Sequence, residues 1–153
     1  MQSETVLDRL RSLADGEYAA FQLGLIPGVA PERVLGVRTP ALRKLARELR
    51  GTAEAEQFMA ELPHGYYDEN NLHGLLINEM RSYDAALAAL EAFLPHVDNW
   101  ATCDILSPRA FKTRPEGLMD EVRAWLSSGR THIVRFGLGV LLGFYLDEIG
   151  RAH

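Results

Sequence analysis

The chain has 153 residues, 47% of them hydrophobic and 24% charged, with a formal net charge of −5. Those values exclude a disordered or fibrous protein and leave room for a core without staples, since a domain of this size buries about 68–70% of its unfolded surface. They also exclude a uniformly basic nucleic-acid binder. A single cysteine, Cys103, forbids an internal disulfide and points to a reducing, cytoplasmic setting. The scattered histidines offer no metal-ligand spacing. No apolar run reaches the roughly 18–20 residues that a membrane span needs, and Met1-Gln2-Ser3-Glu4 is too polar for a signal peptide.

In chain order, Ser3 is expected to cap a helix through Ala14, with Val6, Leu7, Leu10 and Leu13 on one side, and Asp15-Gly16 to end it. Glu17 to Leu25 reads as a second helix, followed by a loop at Pro27-Gly28 and Pro31. Thr39 is expected as the next cap with Pro40 at the first helical position, and Gly51 closes that helix. Thr52 or Ala53 to Leu62 gives a short helix broken by Pro63. Tyr66 to Met80 gives a longer one, burying Leu72, Leu75, Leu76 and Met80. Ser82 caps Tyr83 to His96, and Asp98 is expected to cap the helix that holds Trp100 and Asp104. Pro115 begins another, stopped at Gly129. Thr131 to about Asp147 is apolar almost all round and is expected to be buried on most sides.

No stretch alternates with the period of a strand, so the reading is all-α, about nine helices in antiparallel pairs. Helix pairs at such intervals are the footprint of an α-solenoid of HEAT or armadillo type, with a compact bundle as the competing architecture.

Charge is unevenly spread. Arg33, Arg38, Arg43, Lys44, Arg47 and Arg50 face Glu48 alone, and Arg109, Lys112 and Arg114 form a second basic group. An acidic chain can therefore carry a positive face. Trp100 and Asp104, four residues apart, share one side of their helix. Arg135 stands out inside an apolar helix, 31 positions after Asp104, where it can reach the same wall from the next helix pair. Two readings follow: a Trp–Asp–Arg site on a concave surface, or an Arg135–Asp104 ion pair tying two repeats together.

Four blocks of sequence carry a resemblance. They are Leu35-Gly36-Val37-Arg38-Thr39-Pro40-Ala41-Leu42-Arg43, Tyr67-Asp68-Glu69-Asn70-Asn71-Leu72-His73-Gly74, Val97-Asp98-Asn99-Trp100-Ala101-Thr102-Cys103-Asp104 and His132-Ile133-Val134-Arg135-Phe136-Gly137. In this order the chain resembles the DNA alkylation repair family, the HEAT-like-repeat alkylpurine DNA glycosylases. The resemblance implies a single domain over residues 1–153, folded as a right-handed α-α superhelix whose concave side accepts duplex DNA. It implies hydrolysis of the N-glycosidic bond of N3- and N7-alkylated purines without metal or cofactor. It places the catalytic roles on Trp100, Asp104 and Arg135. Arg38, Arg43, Lys44, Arg47 and Lys112 are then candidates for phosphate contacts. Family members continue through further helix pairs, so C-terminal repeats are expected to be missing here. Leu138, Leu142 and Tyr145 are accordingly expected to help form a homodimer or swapped assembly. The competing function is a non-catalytic scaffold that binds DNA structures or a protein partner.

Overall fold

The computed structural model describes the backbone of residues 4–152, and the side chains of residues 4–150 apart from Tyr145, Glu148 and Ile149. Within that range the chain is all-α. The helices are α1 (Val6–Ser12), α2 (Gly16–Leu23), α3 (Thr39–Leu49), α4 (Ala53–Ala60), α5 (Tyr67–Glu79), α6 (Tyr83–Phe93), α7 (Trp100–Ile105), α8 (Pro115–Leu126) and α9 (Thr131–Ala152). Short 3-10 turns at Pro31–Arg33, Leu94–His96 and Arg109–Thr113 connect them.

Local capping chemistry sets most of the boundaries. Thr52 accepts from the amide of Ala55 and Ser82 from that of Ala85, each satisfying a donor that the first helical turn leaves free. Asp15 accepts from Glu17 and Tyr18, so it starts α2 as well as ending what precedes it. Gly51 and Gly129 take φ values of 76° and 73°, the left-handed conformation that ends a helix and that glycine adopts without strain.

Two caps differ from the sequence expectation, and one falls beyond reach. Ser3 lies outside the described residues; α1 is capped by Thr5, whose hydroxyl accepts from Asp8 while Asp8 accepts from Thr5 in return. Thr39 is already helical, so Arg38 holds the cap position of α3 with no side-chain bond. Asp98 does not cap α7. Asn99 does, accepting from the Thr102 amide at 2.8 Å, because Arg33 draws the Asp98 carboxylate away at 2.9 Å.

Helices α3, α5, α7 and α9 pack side by side in that order, with α4 and α6 backing α5 and α8 backing α9. This is the two-layer arrangement of an all-α helical repeat fold. The row runs parallel. At one edge Arg33 binds the Gly65 carbonyl ahead of α5 and Asp98 ahead of α7, and Arg130 binds the Pro95 carbonyl. At the other edge Glu79 takes Arg50 at 3.0 Å and Arg109 at 3.4 Å. One core cluster, including Leu10, Leu42, Phe58 and Leu72, joins α1, α3, α4 and α5. A second, including Leu90, Phe93, Phe111, Leu118, Trp125 and Phe136, fills the C-terminal half.

The last helix departs from expectation. In α9 only Phe136 and Gly137 are buried among the described side chains, and Leu138, Leu142 and Leu146 are 47%, 60% and 63% exposed. Helix α9 packs mainly against α8, with lighter contact to α7 and to the turn at Leu94–His96, and Leu138, Leu142 and Leu146 line an open hollow whose other wall includes Phe111, Lys112 and Leu118. Leu138 and Leu142 are thus on the surface assigned from sequence to a second copy; the side chain of Tyr145 lies outside the described ones. No helix among the described residues is long and apolar enough to cross a membrane.

Candidate functional site

Six residues are too few for a helix to persist alone, so α7 depends on what surrounds it. Asn99 closes its first turn. From α5, Asn71 accepts from the Thr102 hydroxyl at 2.7 Å. Asn78 donates to the Ile105 carbonyl at 2.9 Å and accepts from the Ser107 amide at 2.7 Å. Between them, Gly74 lets the backbones close up: a Cβ there would lie 3.1 Å from Ile105 Cγ2 and from Leu106 Cδ2. On the other flank, Cys103 Sγ donates to the His132 carbonyl of α9 at 3.3 Å. Burial pushes that thiol up to about 11, so it acts as a donor and not as a nucleophile.

These supports bring Trp100, Asp104 and Arg135 together. Arg135 Nε and Nη2 donate to the two oxygens of Asp104, each at 2.7 Å, and hydrogen bonding to that carboxylate raises the guanidinium pKa further. The guanidinium carbon stands 6.0 Å from the centre of the Trp100 ring. The indole is 42% exposed, and its Nε1 donates to the Leu25 carbonyl at 2.9 Å, which fixes the ring's orientation. The ion pair joins α7 to α9, one of the two readings raised from sequence, and the three side chains also share one open wall. An exposed pair of this kind adds about 1 kcal/mol or less to stability. Its two-pronged geometry matters more for where it holds the carboxylate.

The basic residues do not act as one group. Lys112 lines the same groove as Asp104 and Arg135, a hollow of about 1140 Å³ that continues between Phe111, Leu118 and Leu142. Arg38 instead pairs with Asp15 at 3.1 Å and lies over the Tyr18 ring at 4.8 Å. Lys44 sits in a separate hollow beside Arg9 and Glu48. Arg43 and Arg47 are exposed on α3. Among the described residues, no group of three or more His, Cys, Asp or Glu side chains gathers in a way that could hold a metal.

Sequence reasoning used the polar residues of α5 as a block of resemblance and gave them no structural role. Asp68 is fully buried and accepts from the amides of Leu35 and Val37 at 2.6 and 2.9 Å, shaping the turn into α3. Gly36 in that turn takes a φ of 85°, and a Cβ there would collide with the Asp15 carbonyl. His73 stacks on Phe93 and meets His64 across 2.9 Å, while His64 stacks on Phe58. Burial holds the two imidazoles down at about 3 and about 4, so both are neutral and the 4.0 Å approach of Glu69 to His64 is no ion pair. The available signal was the run Asp68-Glu69-Asn70-Asn71, polar where a buried helix should be apolar.

Such a stack, with a tryptophan, a carboxylate and a guanidinium on an open helical wall, defines an all-α helical repeat protein with an exposed charged site. A family model described as DNA alkylation repair enzyme matches residues 6–147, and the chain belongs to that family. No curated protein and no solved structure matches the chain. Membership assigns a role in DNA alkylation repair, with DNA as the substrate.

Proposed function

We propose that the protein is an alkylpurine DNA glycosylase, hydrolysing the N-glycosidic bond of N3- or N7-alkylated purines in duplex DNA. The observation that carries this reading is the convergence of Trp100, Asp104 and Arg135 on one solvent-open wall. An alkylated purine is already cationic, so the base can leave with the electrons of the C1′–N bond and needs no metal or cofactor to draw them. Positive charge then builds on the deoxyribose, as in an oxocarbenium ion. The Asp104 carboxylate stabilises that charge and orients the water whose oxygen attacks C1′; the water's proton passes to the carboxylate or to solvent. The indole face of Trp100 packs on the sugar and favours the same cation. Arg135 has five donors and spends two on Asp104, which leaves three for a neighbouring phosphate. Lys112 supplies a further phosphate contact from the same groove.

Residues 1–153 in this reading are one repair domain working in the cytoplasm, and a homodimer through α9 is supported by the exposure of Leu138 and Leu142. One observation favours the second reading, a non-catalytic scaffold: both oxygens of Asp104 are already engaged by Arg135 in the free protein. Release of 7-methylguanine from methylated duplex DNA separates the two. Wild type is expected to release the base, with Asp104→Asn and Trp100→Ala slower by roughly a hundredfold. No release by wild type at high enzyme concentration leaves only the scaffold.

A further inference from the structure

We propose that Asn78 of α5 is a positioning residue that sets where the Asp104 carboxylate stands. Asp104 is the second-last residue of α7, so its direction is decided by how that helix ends. A helix end leaves its last carbonyls free, and a short one frays there first. Here the side-chain amide of Asn78 grips both sides of the ending, donating to the Ile105 carbonyl and accepting from the Ser107 amide. The two bonds flank the C-cap residue Leu106 and allow the backbone between them little freedom. Gly74, one turn earlier on α5, sets the depth at which Ile105 and Leu106 seat. The primary amide presents a donor nitrogen and an acceptor oxygen on one carbon; an ionised aspartate lacks the donor and leucine lacks both.

The opposite end of α7 is held separately, by Asn99 and by Asn71 through Thr102. Loss of Asn78 therefore leaves the indole of Trp100 in place and releases the carboxylate. The two-pronged bond to Arg135 needs both oxygens within hydrogen-bond reach at once, and it registers a small displacement of Asp104 as a lost contact. A misplacement of about 1 Å at a reacting group can lower a rate by roughly a hundredfold.

The catalytic part of this inference rests on the glycosylase reading; the structural part does not, and the experiment separates them. The Arg135 Nε proton, bonded to Asp104, is expected to give a protected NMR signal, assigned by its loss in Arg135→Lys. Asn78→Ala and Gly74→Ala are each expected to abolish that protection. Both are expected to slow single-turnover release of 7-methylguanine at least about tenfold, while duplex affinity stays within about twofold. Val6→Ala, in the α1 core, serves as a variant that loses stability without touching α7. Asn78→Asp keeps the acceptor for Ser107 and loses the donor to Ile105; it is expected to lose the signal too, and covers the case in which Asn78→Ala does not fold. An Arg135 signal retained in Asn78→Ala or Asn78→Asp, with rates matching Val6→Ala, overturns the proposal. If wild type releases no base, the glycosylase reading fails and the NMR arm alone decides the role of Asn78.

Discussion

Helices α5 and α9 reverse what their compositions suggest. Helix α5 carries Asp68, Glu69, Asn70, Asn71, His73 and Asn78, yet every residue from Tyr67 to Ile77 except Glu69 is buried. Helix α9 is apolar nearly all round, yet shows Leu138, Leu142 and Leu146 to solvent. The difference lies in the number of neighbours. Helix α5 touches α3, α4, α6 and α7, and its polar groups survive burial because many find a named partner: Asp68 two amides, Asn71 a hydroxyl, Asn78 a carbonyl and an amide. Helix α9 packs chiefly on α8 and lightly on α7. Burial of a helix in a repeat stack is thus a property of its place in the row, and polarity tells which contacts it makes there.

The contrast can be broken at its strongest point. Asp68→Ala orphans the buried Val37 amide and the half-buried Leu35 amide and frees the turn into α3, with an expected loss of about 3 kcal/mol in denaturant unfolding. A loss below about 1 kcal/mol would mean that the polar side of α5 is dispensable.

A smaller effect is expected from acid. His64 and His73 titrate near 6.5 when unfolded and only at about 4 and about 3 when folded. Their contribution is complete above pH 6.5 and drains away as pH falls toward those folded values, because the unfolded chain then binds protons that the folded one excludes. The slope is up to about 1.4 kcal/mol per pH unit for each imidazole. Glu69 and Glu121, whose pKa values burial raises, act the other way at and above the ordinary carboxylate range, so thermal melts between pH 6.5 and 5 are read as the difference between wild type and His73→Phe. A slope in His73→Phe equal to that of wild type across that window contradicts the buried neutral pair.

The smallest change belongs to the naked helix. Leu142→Ser at its 60% exposed position should shift stability by about 0.5 kcal/mol or less in dilute protein. A larger loss that grows with protein concentration, together with a dimer in light scattering, would show that a second copy covers α9.

Much of this was legible from residue types alone. Thr52, Ser82 and Pro115 mark the starts of α4, α6 and α8 because capping is local chemistry. Trp100 and Asp104 were paired by helical spacing, and Arg135 by a charge out of keeping with its helix. What stayed hidden depends on partners far along the chain. Asp98 looked like the cap of α7, but Arg33, 65 positions earlier, claims it. Asp68 reads as an ordinary first-turn acid until the amides of Leu35 and Val37 are brought against it. Five cations looked alike on paper, and packing sends Arg38 to Asp15, Lys44 to the α1 side and Lys112 alone into the Asp104 groove.

Repeat stacks ordinarily hold together link by link, each unit leaning only on the next, so they can unzip from either end. Arg33 breaks that habit: standing ahead of α3, it grasps the approach to α5 with one nitrogen and the approach to α7 with another. Val29 and Val34, packed with Tyr67 and Ala101, repeat the same skip in apolar form. Three successive links are thereby tied together, so the wall that carries the tryptophan and the carboxylate is joined directly to the first half of the chain as well as to its immediate neighbours.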